Sequence, residues 1–319
     1  MVNVQHDALL AWYKKFGRHD LPWRTSDDIY HIYISEVMLQ QTQVERVREF
    51  FYPRFLEHFP TLTSLANAPL SDVLALWSGL GYYRRAKNLH LLAQQTAPQL
   101  PSTYKELLAL PGIGSYTASA ICSFGYNHAC CVVDTNISRV LKRFFALKEV
   151  TPKELEQHAT NFLNIQQPRA HNLALMDLGA MVCKATNPLC LECPLRQWCQ
   201  GKDDPMAYTK KKQKRSHQMD LFFGVYTNSA NEVALVYSDG NMYKDMLVLP
   251  SVDPIEENLL GQYKHAYTKY KLNVYIYALE ELPSSYKEQK IIWLDEKSFS
   301  KAHISSLTKK AQKLIFNKG

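Results

Sequence analysis

The sequence predicts a mainly α-helical domain followed by a small α+β domain, and three observations carry that prediction. The chain has 319 residues, more than one hydrophobic core usually fills. Apolar residues recur at helical spacing between positions 5 and 200, as in Ile34, Val37, Met38 and in Ile137, Val140, Leu141, Phe144. Beyond residue 220 the pattern turns strand-like, with aromatic and β-branched runs at 221–227, 233–237, 246–249 and 272–279. We therefore expect a helical domain at 1–200, a linker at 201–220 and a smaller domain at 221–319, closed by a helix over 303–317.

Within the first domain, Pro60, Pro69, Gly79-Leu80-Gly81 and Pro111-Gly112 punctuate the helices. The linker is basic: Lys202 to Arg215 holds six positive and two negative residues and little apolar content. A 46% hydrophobic composition excludes a disordered chain. No stretch reaches the roughly 18 apolar residues of a membrane span, and the N-terminus lacks a signal-like apolar run. A soluble cytoplasmic protein is expected, nucleoid-associated if the source is bacterial. The net charge of +7 favours a polyanionic partner without naming one.

Cys183, Cys190, Cys193 and Cys199 follow the spacing C-x6-C-x2-C-x5-C. Clustering of this density in a cytosolic chain points to a metal centre before disulfides. Four thiolates suit zinc or a cubane iron–sulfur cluster, and composition does not separate the two. Cys122, Cys130 and Cys131 receive no function.

A second motif is Leu110-Pro111-Gly112-Ile113-Gly114-Ser115-Tyr116-Thr117-Ala118. Gly112 and Gly114 permit a tight turn with bare backbone amides. Those amides open the next helix, where the dipole favours an anion such as phosphate. The competing reading is a plain helix–helix turn.

Two carboxylates could carry chemistry. Asp134, in Val132-Val133-Asp134-Thr135-Asn136-Ile137, precedes an apolar-periodic helix and reads as its N-cap. A helix N-terminus keeps such a carboxylate ionised, and an ionised carboxylate can stabilise an oxocarbenium sugar. Glu36 lies in Ser35-Glu36-Val37-Met38-Leu39-Gln40-Gln41-Thr42, where Glu36, Gln40 and Gln43 would share a polar stripe opposite Ile34 and Met38. Taken alone, that stripe reads as a solvated face.

The cysteine loop and the hairpin together resemble the helix–hairpin–helix superfamily of base-excision glycosylases, and the Glu36 segment resembles the MutY-type adenine glycosylases. The resemblance covers most of residues 5–200. It implies a mainly α helix–hairpin–helix glycosylase domain with a [4Fe-4S] loop, followed by a small α+β Nudix-like domain. The implied cluster ligands are Cys183, Cys190, Cys193 and Cys199. Bifunctional members carry a lysine nucleophile after the hairpin, and here that position is Tyr116. A phenol cannot form an imine, so a monofunctional glycosylase without strong β-lyase activity is expected.

In that family the residue matching Glu36 protonates a purine nitrogen, which requires a pKa raised by burial. Asp134 matches the cation-stabilising carboxylate, although threonine at 135 replaces the usual glycine. Tyr116 and Asn136 are counted with them as candidate catalytic residues. Leu21-Pro22-Trp23-Arg24 resembles the adenine-pocket segment, and Gly79-Leu80-Gly81-Tyr82-Tyr83 the loop whose tyrosine wedges into the base stack. Gln40 and Gln41 match the other DNA-probing segment, and Met176-Asp177-Leu178-Gly179-Ala180 the acid-bearing segment near the adenine. Residues 221–319 lack a Nudix hydrolase box. Their nearest match to the lesion-reading loop is Tyr267-Thr268-Lys269, with Thr268 keeping a hydroxyl for the damaged purine.

The implied partner is double-stranded DNA with adenine opposite 8-oxoguanine or guanine, bound by a monomer, with no membrane involved. The basic linker would track the DNA backbone. Three rivals remain in view: a thymine–guanine mismatch glycosylase, a bifunctional lyase for oxidised pyrimidines, and a non-catalytic DNA-binding module. A Glu36→Gln substitution would leave a mere binding module unaffected.

Overall fold

The computed structural model describes residues 4–208 and 217–316, apart from positions 239, 241, 245, 256, 268, 287, 288 and 303. The chain divides into two compact units, Met1–Lys211 and Lys212–Gly319. Among the described residues no helix is long and apolar enough to cross a membrane.

The first unit is helical up to the cysteine loop, where only the short turns Cys190–Glu192 and Arg196–Trp198 remain. Its apolar residues gather in two clusters. One centres on Tyr33, Ile34, Phe55, Trp77 and Leu89; the other centres on Leu9, Ile137, Leu141, Phe144 and Leu178. The helix Ile29–Leu39 serves both, with Ile34, Val37 and Met38 in the first and Ile32 in the second. It starts where Asp28 accepts a hydrogen bond from the Tyr30 amide at 2.8 Å and ends at Gln40, whose ψ of 110° leaves the helical region.

That helix corrects the polar-stripe expectation. Residues 32–38 are all buried, so there is no solvated face, and Gln40 and Gln43 lie beyond the helix end. A helix apolar all round belongs in a core, and Glu36 is carried in with it.

The helix Thr135–Phe144 buries Ile137, Val140, Leu141 and Phe144, a single stripe at helical spacing, against the helix Pro168–Met181. The two backbones meet closely at Gly179, where a Cβ would stand 2.7 Å from the Asn136 Cβ and 2.9 Å from its carbonyl oxygen. The helix Val4–Phe16 also packs against Pro168–Met181.

The second unit is α+β. One sheet has the order β1-β5-β4, from β1 (His217–Val225), β4 (Leu259–Tyr267) and β5 (Tyr270–Ala278). The other has the order β3-β2-β6, from β2 (Val233–Tyr237), β3 (Leu247–Val248) and β6 (Ile292–Leu294). β1 runs parallel to β5, and β4 antiparallel to it. The central strand β5 buries Leu272, Val274 and Ile276, the alternation that made it legible.

Several boundaries differ from expectation. Residues 217–220, assigned to the linker, pair with β5 although exposed, so backbone bonding holds them where no apolar pattern could announce it. Residues 205–208 form a turn within the first unit, and residues 209–216 lie outside the described residues. β4 and β6 were not expected. β4 carries Gly261, Gln262, Lys264 and His265, which break any apolar run. The closing helix is two short ones, Ser306–Lys310 and Gln312–Phe316.

Candidate active site

A cavity of about 750 Å³ opens in the first unit. Its lining includes Trp23, Arg24, Glu36, Gln40, Tyr116, Asp134 and Asn136, so seven of the sequence-selected residues share one wall system.

Glu36 is 7% exposed, and its Oε2 accepts a hydrogen bond from the Tyr116 hydroxyl at 2.8 Å. Burial pushes its carboxyl up to about 7, against the opposing pull of the Tyr116 hydrogen bond and the Arg24 charge; the Asp134 charge adds to the rise. Tyr116 itself is raised well above its usual value by burial and the neighbouring carboxylates, which keeps the phenol a neutral donor. Such a pair holds a proton near neutral pH on the cavity wall.

Asp134 caps the helix Thr135–Phe144, accepting from the Ile137 amide at 2.6 Å, while its other oxygen accepts from the Asn136 side-chain amide at 2.8 Å. Asn136 in turn accepts from Arg139 at 2.9 Å, and Arg139 donates to the Gly179 and Cys183 carbonyls at 2.6 and 2.7 Å. The cap geometry is formed with the exposed Thr135 in place.

Arg24 lines the cavity, whereas Asp177 does not. Asp177 is fully buried behind it, accepting from Arg24 at 3.2 Å and pairing with Arg18 at 2.6 Å. Its position is that of a counter-charge fixing two arginines. Arg18 carried no motif and was missed; only its three-dimensional meeting with Asp177 reveals it. Trp23 is buried and stacks edge-on against Tyr52 at 5.2 Å. Gln40 reaches the Thr117 hydroxyl at 3.4 Å.

Gln41 and Tyr82 stand exposed on two turns, outside the cavity lining, and both have positive φ, 58° and 51°. On the hairpin, Gly112 has φ +77° and no room for a Cβ beside Asn88; Gly114 opens the helix Ser115–Ala120, with nothing within 4 Å of where its Cβ would be. Thr268 lies outside the described residues. Elsewhere in the second unit, the Tyr243 hydroxyl bonds His265 at 2.7 Å, a contact no motif announced.

All four motif cysteines border one small cavity together with Arg143, Arg196 and Lys202. Arg143 donates to the Cys183 sulfur at 3.3 Å and to the Cys183 and Lys184 carbonyls at 3.3 and 2.7 Å. Among the described residues no three His, Cys, Asp or Glu side chains converge as on a single ion. Four cysteine side chains around one cavity, with Arg143, Arg196 and Lys202 beside them to offset a cluster's net charge, fit an iron–sulfur cluster.

Residues 34–164 match the family model of the HhH-GPD superfamily base excision DNA repair proteins, and residues 183–199 match the iron–sulfur binding domain of endonuclease III. The adenine DNA glycosylase of Buchnera aphidicola subsp. Acyrthosiphon pisum is 33% identical over 264 residues, covering 79% of this chain and 75% of that protein. The chain belongs to the adenine DNA glycosylase family. The family member from Buchnera aphidicola subsp. Baizongia pistaciae is 42% identical over 206 residues, 62% of this chain. The human adenine DNA glycosylase is 39% identical over 219 residues, 63% of this chain. The chain spans 58% of the length of the Baizongia protein and 40% of the human one. Among solved structures, a thermostable thymine-DNA glycosylase aligns with TM-score 0.58 and 27% identity, over 63% of this chain and 95% of that one. A non-covalent endonuclease III–DNA complex aligns with TM-score 0.55 and 22% identity, over 65% of this chain and 99% of that one, a likeness of fold.

Proposed function

We propose that this chain hydrolyses the N-glycosidic bond of adenine opposite 8-oxoguanine or guanine in double-stranded DNA, without strong lyase activity. The observation that carries the reading is Glu36, buried on the cavity wall with its carboxyl raised to about 7 and held by Tyr116. Glu36 gives its proton to a ring nitrogen of the extruded adenine as the bond from C1′ to the base breaks. Asp134, kept at the helix N-terminus, stabilises the cationic sugar, and Asn136 holds the carboxylate from its far side. Water adds to C1′ and returns a proton to Glu36. Tyr116 offers no amine for a Schiff base, so the product is an intact abasic strand.

Residues 1–200 carry excision, 201–220 follow the phosphate backbone, and 221–319 read the oxidised guanine in a Nudix-like way, with Thr268 beside it. Gly112 and Gly114 present backbone amides to a phosphate, and Trp23, Arg24, Gln40 and Asp177 shape and brace the adenine pocket. The cluster on Cys183, Cys190, Cys193 and Cys199 supplies structural cross-linking of the loop when bound. The protein acts as a monomer in the cytoplasm. The thymine-mismatch reading draws support from the 27% identical thymine-DNA glycosylase, but the adenine enzymes stand at 33–42%.

The test is excision from duplexes carrying adenine opposite 8-oxoguanine, adenine opposite guanine, or thymine opposite guanine, scored with and without alkali. Adenine loss, fastest opposite 8-oxoguanine and cleaved only after alkali, is expected. Intact adenine in every duplex despite binding would overturn the reading.

A further inference from the structure

The turns bearing Gln41 and Tyr82 make no backbone–backbone hydrogen bond to each other among the described residues. They are joined by arginine. One amino group of Arg85 donates to the carbonyls of Val37, Met38 and Gln40 at 2.7, 3.0 and 2.7 Å. The other donates to Gly81 at 3.1 Å and, at longer range, to Leu80 at 3.4 Å and the Thr42 hydroxyl at 3.5 Å. The same guanidinium lies over the rings of Trp77 and Tyr82, 5.3 and 5.5 Å from their centroids. A second, rim bridge runs from Arg46 to the Gly79 carbonyl at 2.9 Å.

Three facts make this more than a helix cap. Val37 and Met38 are the residues next after Glu36, so the guanidinium grips the end of the helix that carries the acid. Both exposed tips, Gln41 and Tyr82, hold positive φ, a conformation that non-glycine residues keep only when the surroundings impose it. The Arg85 Nε is buried without a hydrogen-bond partner, a penalty tolerated in a side chain whose two ends are both committed.

We propose that Arg85 is a positioning residue that locks the Gln41 and Tyr82 turns into one rigid two-pronged wedge in register with Glu36, so that neither prong unstacks the duplex without the other. This rests on the base-extruding glycosylase reading above. Lysine, a point cation, cannot serve both turns with a planar fork.

The test uses the full-length protein with its cluster and the variants Arg85→Lys, Tyr82→Ala and their combination. Unstacking is read by the fluorescence of 2-aminopurine at the position of the target adenine on binding. Excision is read in single turnover on the mismatched duplex and on a duplex whose adenine is bulged and unpaired, where extrusion is nearly free. For Arg85→Lys we expect duplex excision and fluorescence rise reduced roughly 10- to 100-fold and severalfold, respectively, with the bulged substrate within about threefold of wild type. The double variant should be no slower than the slower single one.

Equal losses on duplex and bulge, or losses that multiply in the double variant, would overturn the proposal. If wild type excises nothing, the glycosylase reading fails, while the fluorescence still decides on Arg85: a wild-type rise that Arg85→Lys leaves unchanged, or no rise at all, rejects it. Should Arg85→Lys not fold, Gly81→Ala replaces it. Its Cβ meets no atom within 4 Å, so the strain at φ +79° displaces the turn from the guanidinium, and the same duplex-against-bulge split is expected.

Discussion

At the scale of single residues, the site sets activity against stability. Glu36 has its carboxyl raised to about 7, so the unfolded chain releases this proton first. Stability from this group is complete below pH 4.5 and is lost as pH rises through 7, about 3 kcal/mol in all. Glu36→Gln should therefore abolish adenine excision, a loss of at least ~100-fold, yet melt no lower than wild type at pH 8. A lower melting temperature at that pH would contradict the burial argument. The profile of kcat/KM should be level below pH 7 and decline above it as the acid ionises. Tyr116→Phe removes a hydrogen bond that favours the ionised form, so the residual activity should break at a higher pH, measurable in single turnover. Glu36 was legible as a candidate because its neighbours matched a motif. Its burial followed only from the role the family resemblance implies, since by spacing alone Glu36, Gln40 and Gln43 read equally well as a wet stripe, and the packing of the helix on both sides decides between them. Arg18 and Arg85 stayed invisible because their partners are backbone carbonyls and a carboxylate far along the chain.

At the scale of elements, the hairpin separates folding from binding. Gly112 combines φ +77° with a Cβ position 2.7 Å from the Asn88 Cβ. Gly112→Ala should cost about 1–3 kcal/mol, read as a fall in denaturation midpoint. Gly114 has an extended backbone, φ −98° and ψ 177°, and open space where a Cβ would go. Gly114→Ala should leave stability within about 1 kcal/mol and still weaken DNA binding, because the methyl covers the amides a phosphate would approach. If both variants bind as wild type does, the hairpin is a turn and nothing more. Helices with a one-sided apolar stripe, such as Thr135–Phe144, were readable from spacing alone. β4 was not, because a strand with one wet face and a glycine offers too little apolar alternation, and β1 begins in residues held only by main-chain pairing.

At the scale of the molecule, charge and burial set the response to solution conditions. The net charge of +7 with a phosphate-seeking hairpin predicts binding that weakens at least tenfold between roughly 50 and 200 mM salt. Acid should loosen the first unit through His171, which is 1% exposed with both ring nitrogens unpaired and faces His6 at 4.9 Å. Burial, then the His6 charge, pushes its pKa down to about 3. The unfolded chain protonates near 6.5, so the neutral form's contribution is intact above that value and about 3 kcal/mol is gone by pH 4. His171→Phe should flatten the acid limb of a melting-temperature profile; an unchanged limb would assign it elsewhere.

The buried Asp177 also bears on how fast this molecule comes apart. It meets Arg18 and Arg24 across 159 and 153 residues of chain. Contacts of such separation form late on a folding route, after local helices have condensed. Asp177→Asn should therefore quicken unfolding and leave the refolding rate nearly unchanged in a chevron measurement. The cavity that Arg18 and Arg24 line would then be among the last parts of the first unit to close, and that carboxylate would lengthen its lifetime.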